Sequence, residues 1–203
     1  MSSLVDKVIQ VEAFYTALDK DLAAFQTKAK YSCISGCSKC CQSPTVEATI
    51  LEMLPLAFHL YKENKAELSY DNLLDNTSSL CALYMPLKTV IQKGGCSEYP
   101  YRALICRLFG NSFTRDKIGE PSLLTCKDLK AEYPKEMDAI RLEAKEGMQV
   151  PLATNYFQKL TEIDYQLTLK QYPINEAMKL AIEMVLNHFH YSEPMDENHR
   201  NAS

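Results

Sequence analysis

No window of this 203-residue chain approaches 18 consecutive apolar residues, so the sequence offers nothing to span a membrane. It carries no Lys/Arg run of the length that marks a basic arm, and a formal net charge of -4 leaves no electrostatic footprint for duplex nucleic acid. Histidine is scarce: His59, His188, His190 and His199 are the only imidazoles. His188 and His190 lie two apart and share no helix face, which argues against a zinc site built from that pair. His199 sits in a polar tail, and His59 inside an amphipathic stretch reads as a packed or rim residue. There is no G-x-S-x-G elbow, no phosphate-binding loop and no dinucleotide glycine fingerprint, and no internal repeat or low-complexity tract. The opening "MSSLVDKVIQVEAFY" introduces charge at Asp6 and lacks the uninterrupted apolar stretch of a secretory signal. A cytoplasmic, reducing setting is expected, where stable disulfides are rare.

Against those absences stand eight cysteines: Cys33, Cys37, Cys40, Cys41, Cys81, Cys96, Cys106 and Cys126. They divide the chain into a cysteine-free start, a segment from 33 to 126 and a cysteine-free end. At 46% hydrophobic content the chain is long enough to bury a core without crosslinks, so the thiols read as ligands or catalysts. From residue 31 to 126 there are nine Lys/Arg and nine Asp/Glu, a neutral and therefore poor phosphate-binding surface.

The flanks are helical in pattern. Leu4, Val8, Val11, Tyr15, Leu18, Leu22, Phe25 and Ala29 recur at alternating steps of four and three, which lines one face of a long helix, with Ser3 and Asp6 as a capping pair. Ser43-Pro44 reads as the start of the next helix, continuing through Val46, Ile50, Met53, Ala57 and Tyr61, with Pro55 kinking or dividing it. A short helix is expected around Tyr70 to Asn76. From Leu80, short apolar runs surround Gly94-Gly95, which predicts two short β arms joined there and then a brief helix ending near Gly110. Three further helices are predicted: within Pro134 to Met148, from Pro151 to about Lys170, and from Ile174 to about His188. Leu152, Tyr156, Leu160, Ile163 and Leu167 form one apolar stripe; Ala177, Leu180, Ala181, Met184 and Val185 form another. The fold class is mainly α, a helical scaffold with a cysteine-rich metal-binding insert containing short β arms. Residues 1–191 are expected to form one domain and 192–203 a disordered tail.

Thiolates are soft ligands that select zinc, copper(I) and iron–sulfur clusters, and the Cys37-x2-Cys40 turn lets two sulfurs converge on one ion. Neighbouring side chains in extended backbone point to opposite sides. Cys40 and Cys41 therefore share one centre only if the backbone folds back locally, and otherwise serve two centres. Cys33, Cys37 and Cys40 also form the C-x3-C-x2-C spacing of radical S-adenosylmethionine enzymes. A long helix precedes the motif, Lys39 replaces the usual aromatic residue, and repeating βα units are missing, all of which argue against that fold.

With its thiols in this order, the segment resembles the YkgJ-like cysteine-cluster family, known as the CxxCxxCC zinc- or iron-chelating domain. The family pattern runs from a clustered C-x2-C-x2-C-C opening through C-P-x-L to C-S-I-Y-x-x-R-P-x-x-C-R; here stand "CISGCSKCC", "CALY" and "CSEYPYRALICRLFG". Cys33, Cys37, Cys40 and Cys41 fall on the opening cluster, and Cys81 on the first downstream cysteine. Cys96, Tyr99, Arg102, Cys106 and Arg107 fall on the final motif, and Cys126 on a later cysteine. The opening gap is three residues rather than two, and Ala82 and Ala103 replace prolines, departures that touch loop geometry more than ligation. The resemblance implies zinc or iron, with an iron–sulfur cluster as one form, held by the cysteines. Arg102 and Arg107 could donate to sulfur or pair with carboxylates behind the ligands, or serve as ordinary ion pairs. Tyr99 reads as a hydrogen-bonding neighbour or a core side chain. The family resemblance extends to a flagellin lysine N-methylase with a similar cysteine cluster. Three roles follow: a structural zinc module for partner contacts, an iron–sulfur redox or protein-modifying enzyme, and a metal chelator. The expected partner is a metal ion, with no nucleic acid and no membrane; catalytic residues and a protein partner are not readable.

Overall fold

Helix α1 (Leu4–Ala29) starts where Ser3 and Asp6 satisfy each other's backbone N–H groups at 3.1 and 3.0 Å, the reciprocal cap expected from the sequence. Its apolar stripe is buried from Val8 to Ala29, and Lys30 closes it in the left-handed conformation. At 1.5 Å per residue its 26 residues span about 39 Å, enough to serve more than one packing layer. The computed structural model describes residues 3–33, 38–86 and 95–192. Most of the tail expected over 192–203 and the Gly94 half of the predicted turn lie outside the described residues.

Helix α2 (Ile50–Lys62) begins later than the Ser43-Pro44 signal indicated. Thr49 caps it and Glu52 returns the bond, while the residues before it are drawn into extended pairing. The two-residue strand β1 (Glu47–Ala48) lies antiparallel to the later pair Tyr172–Pro173, and Val46 O accepts the Ile174 N–H at 3.0 Å. Pro55 does not divide α2: one backbone donor is lost, but Leu51, Leu54 and Leu56 around it are fully buried and hold the helix by packing. Helix α3 (Ala66–Leu74) lies a few residues ahead of its predicted place.

The predicted β arms are present as β2 (Tyr84–Met85) and β3 (Gly95–Cys96), with Tyr84 opposite Cys96. A short helix, α4 (Leu104–Leu108), follows and ends before Gly110, whose φ of +84° makes the left-handed exit that favours glycine. A hairpin of β4 (Ser112–Arg115) and β5 (Pro121–Leu124) was not anticipated. Asp116 organises its turn by accepting the N–H groups of Ile118 and Glu120, both at 2.9 Å. Helices α5 (Lys127–Glu132) and α6 (Pro134–Lys145) come next, the first also unanticipated.

The helix expected from Pro151 to Lys170 is two pieces, α7 (Ala153–Ile163) and α8 (Tyr165–Thr168). Pro151 O accepts the Phe113 N–H at 2.8 Å, which keeps Pro151 extended beside β4. Asp164 breaks the helix because its carboxylate caps Leu167 N–H at 3.0 Å and pairs with Lys7 at 2.6 Å. After β6 (Tyr172–Pro173), α9 (Ile174–Ser192) runs past the predicted end. The class is mainly α with short β arms, as expected.

Two apolar clusters hold the fold. The larger joins α1, α2, α7 and α9, with Val8, Leu51, Leu54, Ala177 and Val185 fully shielded. The smaller joins Phe25, Ala29 and Tyr31 to Phe113 of β4, Leu123 of β5, Leu129 of α5 and Met137 and Ile140 of α6. Helix α1 belongs to both, and the cysteine-bearing segment runs alongside it where they meet. No helix among the described residues is long and apolar enough to cross a membrane.

Candidate metal centre

Four separate pieces of chain bring sulfur to one place. A single 3₁₀ turn, Cys40–Gln42, is the local fold-back that adjacent cysteines require, and it carries Cys40 and Cys41. Cys41 O accepts the Cys81 N–H at 3.0 Å, so the second piece is tied to the first by backbone. The third is β3, which ends in Cys96, and the fourth is α4, which carries Cys106. Cys33, Cys40, Cys41, Cys81, Cys96 and Cys106 all line one cavity of about 570 Å³.

Within that cavity the Cys41 thiol lies near enough to those of Cys81 and Cys96 for them to shift its protonation. None of Cys41, Cys81, Cys96, Cys106 and Cys126 is in a disulfide. Cys126 lies apart: it lines a neighbouring cleft of about 410 Å³ whose walls also include Cys40 and Cys106. Its Sγ accepts the Leu129 N–H at 3.3 Å as the cap of α5. Cys37 is outside the described residues.

Protonation follows from crowding. The neighbouring Cys81 thiol pushes the Cys41 thiol up to about 11, with Cys96 opposing and burial adding to the rise. The same contact lowers Cys81. Cys96 is raised far above an ordinary thiol, first by the neighbouring Cys41 thiol and then by burial. Burial pushes Cys106 up to about 12, with Cys40, Cys41 and Cys96 adding repulsion. Several thiolates this close are unfavourable without a cation, and a soft divalent ion reverses the balance by displacing the protons. The donor set fits zinc or iron in that chemical sense. Geometrically, no group of three or more His, Cys, Asp or Glu among the described residues already stands close enough to hold an ion. Ligation therefore entails a local closing of the sulfurs, to the roughly 3.8 Å separation implied by tetrahedral Zn–S bonds of about 2.3 Å.

The supports behind the thiols come from the helical scaffold. Glu52 of α2, 1% exposed, accepts from Thr49 N–H and Oγ1 at 2.9 and 3.0 Å through one oxygen. Its other oxygen accepts the Leu104 N–H at 2.8 Å, pinning the first turn of the helix that carries Cys106. Burial raises the Glu52 carboxyl, and these three donors oppose the rise. Asn175, at the start of α9, accepts from Ala82 N–H and donates to Leu80 O, both at 2.8 Å, gripping the residues on either side of Cys81.

Arg107 is 2% exposed and fully engaged: it pairs with Asp19 of α1 at 2.5 Å, donates to Arg102 O at 3.1 Å and to Pro100 O, and lies over the Tyr15 ring at 4.1 Å. Of the sequence alternatives, it takes a buried pairing with a carboxylate, and it is not among the residues that line the cavity. Arg102 does line it, stacked on Tyr99 at 3.9 Å and donating to Tyr99 O at 3.0 Å. Tyr99 is on the cavity rim and 58% exposed, not a core side chain. His59 stacks on Tyr101 and pairs with Glu98 at 3.8 Å, a rim position.

Sequence reasoning missed Glu52, Asp19 and Asn175. Thr49-x-x-Glu52 is a readable capping box, but its second contact, to Leu104, joins positions 52 apart and leaves no local signal. Residues 32–128 match the family model CxxCxxCC, described as "Putative zinc- or iron-chelating domain". Comparisons with curated proteins and with solved structures give no match.

Proposed function

Since residues 32–128 belong to the CxxCxxCC family, we propose that this chain binds zinc or iron through a multi-cysteine centre. Cys41, Cys81, Cys96 and Cys106 form its nucleus, Cys33, Cys37 and Cys40 supply the remaining sulfurs of the opening cluster, and Cys126 stands at the adjoining cleft. The observation that carries this reading is the contact of Cys41 with Cys81 and Cys96, thiols that are 40 or more positions away in sequence and share a cavity with Cys106. Arg102 and Tyr99 border the centre and Arg107 braces it from behind. The helices before and after the segment act with it as one domain, and a reducing compartment keeps the thiols available.

A second reading has an observation of its own. A structural zinc site needs no space beyond its ligands, whereas a cavity of about 570 Å³ lies within the range of small-molecule sites. That favours a centre with an accessible position for chemical work over a purely structural module.

Anaerobic purification with metal analysis and an absorbance scan tests the proposal. Stoichiometric zinc without colour supports a zinc centre; a broad band near roughly 400 nm with acid-labile sulfide supports an iron–sulfur cluster. Cys41→Ser and Cys106→Ser are expected to lower metal content several-fold. Unchanged metal content in both variants would remove the ligand assignment.

A further inference from the structure

The cavity that gathers the thiols is much larger than an ion. Its volume is about 570 Å³, and sulfur occupies only part of its wall. The remaining surface is mostly apolar, from Leu22 of α1, Met53 of α2, Leu83 and Phe109. Two charged side chains reach it, Asp19 and Arg102. They are not equally satisfied. Asp19 is held at 2.5 Å by the buried Arg107, which also settles its charge. Arg102 pairs with Asp19 at the longer distance of 3.8 Å, its side chain is 17% exposed, and Nη1 donates to a backbone carbonyl. The guanidinium is thus a mostly enclosed cation, held flat by the Tyr99 ring, with donors to spare and a long ion pair to an Asp19 that Arg107 holds more closely.

From this arrangement we propose that the chamber binds a small organic carboxylate, its acid group on Arg102 and its remaining atoms extending over the apolar wall toward the thiol-held metal. The inference rests on the metal-binding reading above and adds a ligand class to that site. Arginine matches a carboxylate with two parallel N–H···O bonds, and Tyr99 fixes the plane in which they are offered. The apolar wall that shares the cavity with the cation and the thiols suits a molecule with a short carbon body better than an inorganic anion.

The test uses the full chain loaded with cobalt(II), whose visible bands report changes at the metal, together with two probes. Mercaptoacetate carries a thiol and a carboxylate; 2-mercaptoethanol replaces the carboxylate with a hydroxyl. Mercaptoacetate is expected to shift the bands saturably, and Arg102→Ala to weaken its apparent Kd at least tenfold while changing that of 2-mercaptoethanol less than twofold. Arg102→Lys, which keeps the charge but not the paired donors, is expected to fall between. Equal weakening of both probes would overturn the proposal, since Arg102 would then act on the thiolates alone. A spectrum unmoved by mercaptoacetate would overturn it while leaving the metal-binding reading intact. A chain that takes up no cobalt, zinc or iron would overturn both.

Discussion

The layer of α1, α2 and α9 and the stretch from Cys81 to Leu108 are held by different means. In the first, long helices, α1 and α2 with reciprocal caps, bury continuous apolar faces, including Leu51, Leu54, Ala181 and Val185. In the second, β2 and β3 are two residues long and α4 only five, too short to be stable alone. They are positioned by the burial of Leu104 and Leu108 of α4 in the larger core and by polar contacts from the first region: Glu52 on Leu104, Asp19 on Arg107, and Asn175 on Leu80 and Ala82. A region that folds mainly by area supports one that buries less and relies more on individual bonds, and a metal ion is the natural remaining contributor to the latter.

Stripping the metal is the strongest way to separate the two. Ligation contributes on the order of 10 kcal/mol in small thiolate modules, so chelation is expected to abolish hydrogen-exchange protection across β2, β3 and α4. Protection of α2 and α9 should persist; simultaneous loss in both regions would erase the distinction. The converse change, Leu54→Ala, opens the fully buried core and is expected to cost about 2–5 kcal/mol in denaturant unfolding with metal stoichiometry unchanged. Glu52→Gln acts on the seam. It places an amide where three donors converge, and about 1–3 kcal/mol of stability should be lost together with several-fold weaker metal retention against a competing chelator. Asn175→Ala removes bonds at a more exposed position, so about 1 kcal/mol is expected, with the change in exchange protection confined to residues near Cys81.

How much of this could be read in the sequence differs between the same two regions. Periodicity gave α1 nearly residue by residue because its stripe and cap are local. It misplaced the start of α2, because the pairing of β1 with β6 depends on residues more than 120 positions away. It missed the β4–β5 hairpin, whose turn relies on Asp116 accepting two backbone N–H groups rather than on a glycine pair. For the site, cysteine spacing identified the sulfurs but not their grouping, and Cys126 turned out to face the smaller cleft. Arg102 and Arg107 looked alike in sequence. The difference lies in Asp19, a polar position on α1 that becomes significant only once the chain has folded back onto it.

Helix α1 contains neither glycine nor proline along its 26 residues, and it gives Asp19, Leu22, Ala23 and Gln26 to one wall of the chamber. An uninterrupted helix of that length behaves as a stiff strut, so that wall is a fixed reference surface. Any contraction of the sulfurs when a cation arrives must come from the short loops facing it, and the separation between that wall and the thiols is therefore the dimension that loading adjusts.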